Sequence, residues 1–177
     1  MRKDFRINWD LRRAGGLGPV EPRKTVEVSA DRVSEATDLY LRTLAQIWDW
    51  RTEEHGGSEA VAESFRMGID RGEKWFLCMS DNEPAGLTGM IPDFYQPGWA
   101  RFRGAYVDPG HRGRRVGLSV MSEAMRLSRS MGQSWMTVYT FSYLDRLSPG
   151  ASLYLRSGGK VDAESVQLQM PSIVSPR

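Results

Sequence analysis

The stretch from Ala105 to Met131 constrains this chain more than any other. It reads Ala-Tyr-Val-Asp-Pro-Gly-His-Arg-Gly-Arg-Arg-Val-Gly-Leu-Ser and continues as a long amphipathic run. A β-rich segment ends at Asp108-Pro109, a loop of Arg and Gly follows, and a helix is predicted to begin at or near Arg114. Strand, basic glycine loop, then helix is how a backbone builds an anion site. The first amides of a helix have no internal partner and the helix dipole favours negative charge there, so a phosphate can sit on them. Gly113 and Gly117 leave room for close backbone approach, with Arg103, Arg112, Arg114 and Arg115 nearby. The ligand implied carries phosphate, and more than one.

Two common phosphate fingerprints are absent: the dinucleotide G-x-G-x-x-G and the triphosphate loop G-x-x-x-x-G-K-[ST]. Instead, Val107-Asp108-Pro109 followed by Arg112-Gly113-Arg114-Arg115-Val116-Gly117 resembles the acyl-CoA pyrophosphate loop of the GNAT superfamily of N-acyltransferases. That pattern is Gln/Arg-x-x-Gly-x-Gly/Ala after a strand ending in Val-x-Pro. Arg112 takes its first position and Gly117 its last; Arg115 stands where a glycine is usual. An arginine fits there only if the local φ is negative, because an L side chain resists φ > 0. Its side chain would then point to solvent or to the nucleotide phosphates.

A second segment, Ala151 to Gly159, resembles the family's Leu-Tyr-x-x-x-Gly-Phe, with Leu153, Tyr154 and Gly158 in register. Gly159 replaces the Phe, and Leu147 falls near the place of a usual Asn. The local chemistry supports a helix here: Ser148 is a good N-cap, Pro149 suits the first helical position, and Gly158 suits the left-handed residue after the last turn.

The resemblance implies an α/β (α+β) fold of GNAT type: a mixed, mostly antiparallel central sheet with a splayed parallel strand pair and helices on both faces. It implies acetyl-CoA as co-substrate, held by Tyr106, Val107, Arg112, Gly113, Arg114, Arg115, Val116 and Gly117. The pantetheine arm would lie between the strands Trp99–Val107 and Ser134–Phe141, with a backbone N–H at or beside Val107 on the thioester carbonyl. Tyr154 would be the general acid that protonates the CoA thiolate. The activity implied is transfer of an acetyl or other acyl group to an amine of a small molecule or a protein.

Composition bounds the remaining possibilities. A chain of 177 residues fits one domain with a sizeable core; residues 24–177 are expected to form it, and residues 1–23 an extended, loosely docked arm. The alternation of Phe5, Ile7, Trp9 and Leu11 offers a sharper reading, an arm crossing to a second copy, which leaves a homodimer open. Net charge is only +2. With no aromatic residues interleaved in the Arg112–Arg115 cluster, no nucleic-acid partner is expected. The longest apolar runs are too short to span a bilayer, and the charged N-terminus has no signal-peptide core. Cys78 alone cannot form an internal disulfide, which with the missing leader suggests the reducing cytoplasm. With His55, His111 and Cys78 as the complete His and Cys set, no metal site is expected.

The pattern of elements runs β-α-α-β-β-β-α-β-α-β: a strand at Thr25–Val28, helices capped by Ser29 or Asp31 and started by Ser58, strands at Lys74–Met79, Ala85–Ile91 and Trp99–Val107, the helix from Arg114 to Met131, a strand at Ser134–Phe141, the Tyr154 helix, and a last strand at Lys160–Gln169. No general base is legible, since the strands flanking the phosphate loop carry no Glu or Asp in their interior. Glu53, Glu54, Asp93, Asp145 and His55, or a bound water, are candidates. The segment Trp48, Trp50, Glu53, Glu54, His55 would suit a cationic amine beside an apolar body. Cys78 is expected as plain core and His111 as exposed. The alternative reading is a GNAT-fold module that binds acyl-CoA without turnover.

Overall fold

A computed structural model describes residues 2–13, 17, 23–44, 56–143 and 147–167. Seven strands form one sheet: β1 (Arg2–Asp10), β2 (Thr25–Glu27), β3 (Lys74–Ser80), β4 (Glu83–Pro92), β5 (Trp99–Val107), β6 (Trp135–Tyr143) and β7 (Lys160–Gln167), in the order β2-β3-β4-β5-β6-β1-β7. All neighbours are antiparallel except β5 and β6. Among the described residues, four α-helices cover the sheet: α1 (Val33–Leu44), α2 (Gly57–Asp70), α3 (Val116–Ser130) and α4 (Pro149–Arg156). The mixed sheet with one parallel pair is the architecture that the two motifs imply.

Period-two alternation decides which strand residues meet which helices. Leu77 and Leu87 join Val33, Ala36, Leu39, Ala62 and Phe65 under α1 and α2. Cys78 and Ala85 meet Val116 and Val120 of α3 on the opposite face. The largest cluster lies under α3 and α4, where Ile7, Trp9, Met90, Phe102 and Met136 pack with Met121, Met125 and Tyr154.

The N-terminal stretch expected as a loose arm is instead strand β1, set between β6 and β7 and hydrogen-bonded to both. The physical reason is the Phe5-Ile7-Trp9-Leu11 alternation. It puts Ile7 (0% exposed) and Trp9 (1%) into the largest core cluster, and burying each is worth roughly 2–3 kcal/mol. Trp9 meets Phe102 and Tyr154 edge-on and donates its indole N–H to Ser157 Oγ. Arg6, beside Ile7 in the chain, ion-pairs with Asp162 of β7.

The parallel pair β5–β6 is short. Trp99, Ala100 and Arg101 pair with Trp135, Met136 and Thr137, and there the pairing stops. Trp99 and Trp135 stack at 5.1 Å where the two strands meet. Beyond Arg101, β5 stays with β4 and β6 stays with β1, so the strands part into a V. A bulge sits at the divergence: Phe102 faces Met90 and Gly104 faces Gly89, leaving Arg103 as the extra residue. Gly104 has φ +125, a value an L side chain rarely adopts, and a bulge bends and twists its strand.

Candidate functional site

The phosphate loop begins where β5 ends. Asp108 N–H bonds Ala85 O, and the Asp108 carboxylate accepts the Gly110 N–H at 2.9 Å, closing a one-turn 3-10 segment at Pro109–His111. Arg42, in the last turn of α1, donates to Asp108 Oδ2 at 2.8 Å. Partial burial pushes the Asp108 carboxyl up, but the hydrogen bonds from Arg42 and Gly110 outweigh it and hold it below the usual carboxylate range. Arg23 ties the other end of the loop, donating to Arg114 O at 3.1 Å and to Ser80 Oγ.

Helix α3 starts at Val116, two residues later than expected, with Arg115 as its N-cap. Arg115 is in the left-handed region, φ +61 and ψ +9, so the condition of a negative φ is not met. The turn into the helix needs a left-handed residue, and this chain supplies arginine where the motif has glycine. Such a conformation costs an L-residue roughly 1–2 kcal/mol, held here by the helix it opens: Leu118 and Ser119 N–H both bond Arg115 O. The Val116 and Gly117 amides come before any intrahelical acceptor. Arg112, Gly113, Arg114 and Arg115 are all exposed around them. Helix-start amides beside a run of exposed arginines suit a diphosphate. Gly117 lies against α4, where a Cβ would meet Leu153 at 3.1 Å. His111 is half-buried rather than exposed, and its Nδ1 is buried without a hydrogen-bond partner among the described residues.

Tyr154 projects from α4 into the mouth of the V. The helix forms as its sequence suggests: Ser148 Oγ accepts Ala151 N–H, Pro149 opens it, and Gly158 after it has φ +86. Tyr154 is 5% exposed, wedged edge-on against Trp9 and Phe102. Its hydroxyl oxygen accepts the Ala105 N–H at 3.1 Å, so the phenol ends on the β5 edge that has lost its parallel partner. Burial pushes this phenol up to about 12. Two residues on, Val107 turns its N–H to the same side. Asp108 N–H goes to β4, and successive strand residues alternate the direction of their N–H groups.

On the α1/α2 face of β5 lies a cavity of about 520 Å³. Its walls are aromatic: Tyr40, Phe65, Trp75, Phe102, Tyr106 and Tyr139. Trp75 lies flat over Gly89, where a Cβ would stand 2.5 Å from the indole, so that glycine makes the space for the ring. Tyr106 packs on Tyr40 at 4.7 Å and donates its hydroxyl to Arg103 O, and burial pushes its phenol well up. Ala60, Val61 and Ser64 of α2 and three charged groups, Glu73, Arg101 and Arg103, complete the lining. Phe102 borders the cavity and also touches Tyr154, which brings cavity and V together.

Arg103, expected beside the phosphate loop, instead lines this cavity and pairs with Glu73, a meeting that depends on the pairing of three strands. Gly89 and Gly104, glycines inside apparent strands, were the available signal. Among the candidate bases, Asp93 is buried in an ion pair with Arg101 at 3.3 Å. Glu53, Glu54, His55 and Asp145, with Trp48 and Trp50, lie outside the described residues. Cys78 is core, its thiol pushed up to about 11 by burial. No described helix is long and apolar enough to cross a membrane.

A sheet opened into a V, a helix-start anion loop at one end and a buried tyrosine across it define an acyl-CoA-binding class of fold. The acetyltransferase (GNAT) family matches residues 41–145, and the chain belongs to that family. Solved structures agree on the fold. An acetyltransferase of the GNAT family from Colwellia psychrerythraea matches with TM-score 0.71 and 12% identity over 93% of this chain and 54% of that one. A functionally unknown conserved protein from Staphylococcus epidermidis matches with TM-score 0.69 and 11% identity over 92% of this chain and 59% of that one. The PaiA N-acetyltransferase of Thermoplasma acidophilum, solved with coenzyme A, matches with TM-score 0.58 and 14% identity over 77% of this chain and 88% of that one. The chain thus spans little more than half the length of the first two. A search of curated protein sequences found no match.

Proposed function

We propose that this chain is an acyl-CoA-dependent N-acyltransferase, using acetyl-CoA on an amine of a small molecule or a protein. The observation that carries this is the opening of β5 from β6 beside Tyr154, with the anion loop at the same end of β5. The nucleotide diphosphate lies on the α3 amides with Arg112, Arg114 and Arg115 around it. The pantetheine arm runs up the V along the free edge of β5, and the Val107 N–H stabilises the thioester oxygen as charge builds.

The acceptor nitrogen approaches from the aromatic cavity. It attacks the thioester carbonyl, the new N–C bond forms, the C–S bond breaks, and one amine proton passes to a water at the acceptor nitrogen. The Ala105 N–H occupies a lone pair of the Tyr154 oxygen, which leaves the phenolic hydrogen for the departing sulfur. A phenol near 12 is protonated at any working pH. Against a thiol of ordinary pKa, about 8.5, complete transfer from it is uphill by roughly 5 kcal/mol. Tyr154 therefore acts as general acid in concert with proton loss from the attacking nitrogen, its hydrogen bond strengthening as the sulfur gains charge.

The reaction runs in a reducing, cytoplasmic setting and needs no metal. The direct test is release of CoA thiol from acetyl-CoA by the purified protein with a panel of amines. Amine-dependent release supports the transferase; tight acetyl-CoA binding with no release above the uncatalysed rate for any amine would favour the non-catalytic acyl-CoA-binding module.

A further inference from the structure

The aromatic cavity holds one carboxylate and two guanidinium groups, and they differ in what they offer a ligand. Glu73 is spent within the protein. One oxygen accepts the Trp75 indole N–H at 2.9 Å, the other faces Arg103 at 3.2 Å, and the side chain, folded under Gly68 of α2, is 11% exposed. Asp93, partner of Arg101, is 7% exposed. The arginines are the reverse: Arg101 is 43% exposed and Arg103 41%. Each has one ionic partner among the described residues, and Arg101 Nε is buried with no hydrogen-bond partner there. A guanidinium carries five N–H donors, so both keep donors for a ligand. They stand two apart on β5, hence on one face of the sheet, and the bulge at Arg103 re-aims that residue into the cavity.

From this geometry we infer that the acceptor is an amine that also carries a carboxylate, on an aromatic or apolar body. The carboxylate binds Arg101 and Arg103, as planar guanidinium groups favour. The body packs on Trp75, Phe65 and Tyr40, and the amine points past Tyr106 and Phe102 to the V. The inference rests on the acyltransferase reading for the word acceptor, but the anion-binding cavity stands without it.

Binding to the free protein, read by calorimetry, tests it. The probes are L-phenylalanine and 4-(aminomethyl)benzoate, which differ in the spacing of amine and carboxylate, each against its neutral primary amide. At least one acid is expected to bind about tenfold or more tighter than its amide, the size of one charge-assisted contact. That ratio should fall towards one in Arg101→Gln. It should fall likewise in the double variant Glu73→Gln with Arg103→Gln, which removes the half-buried ion pair as a unit and strands no charge. Amides binding as well as acids, no binding of either acid, or an acid preference that survives both variants would overturn the inference. Acetyl-CoA titration of the same samples separates the two proposals. Acid binding without acetyl-CoA binding removes the transferase and keeps the cavity site; the reverse removes the cavity site alone.

Discussion

Tyr154 reaches 49 positions back along the chain to accept the Ala105 amide at 3.1 Å, and this one bond joins α4 to the edge of β5 where the sheet opens. The contact fixes the phenol at the opening of the sheet and also closes the core, since the same ring packs on Trp9 of the N-terminal strand.

Tyr154→Phe separates the two roles. The ring stays and the hydroxyl goes, leaving the Ala105 N–H without its acceptor, a cost of about 1–3 kcal/mol. Turnover is expected to lose about 10²-fold or more in kcat, with the KM for acetyl-CoA changed little. A fall in melting temperature with kcat unchanged would make Tyr154 purely structural.

Arg115→Gly is expected to move stability and affinity in opposite directions. Glycine relieves the φ of +61, while its freer unfolded chain offsets part of the gain. The net is up to about 1 kcal/mol of added stability, or a melting point roughly 2–4 °C higher. The same change removes a cation from the phosphate loop, and the Kd for acetyl-CoA should rise several-fold. A Kd that does not change would place the Arg115 side chain outside the site.

Gly117→Asp is expected to weaken acetyl-CoA binding at least tenfold, about 1.4 kcal/mol. The new carboxylate repels the diphosphate, and its Cβ presses on Leu153, 3.1 Å away. Gly117→Ala keeps the steric pressure without the charge, so the difference between the two Kd values isolates the electrostatic part.

Alkaline unfolding tests the buried phenols and thiol. Burial raises Tyr154 from 10 to about 12 and Cys78 from 9 to about 11. The unfolded chain releases these protons first, so stability is complete below about pH 9 and falls as pH rises through 11 and 12. Tyr154 alone accounts for roughly 3 kcal/mol of that loss. In Tyr154→Phe the fall with pH should be correspondingly shallower; an unchanged slope would show that Tyr154 titrates normally.

What the sequence disclosed follows from the range of the forces involved. The loop from Val107 to Gly117 was legible because strand end, turn and helix start are local, as were the Ser148 cap and the Gly158 stop. The N-terminal strand is not legible locally, because its Arg and Lys residues outweigh a four-residue apolar alternation, and only its place between β6 and β7 makes that alternation count. The Arg115 conformation was hidden because arginine does not advertise positive φ. The pairing of Glu73 with Arg103 was hidden because it depends on the registers of β3 with β4 and of β4 with β5, and on a bulge.

The central claim is that the loop from Arg112 to Gly117 holds the diphosphate of acyl-CoA. The most direct measurement is calorimetric titration of the purified chain with acetyl-CoA, with NAD and desulfo-CoA as controls. Micromolar binding of acetyl-CoA and none of NAD is the expected result. No binding of acetyl-CoA would contradict the claim, and would mean that an arginine at the left-handed position has cost the fold its anion site.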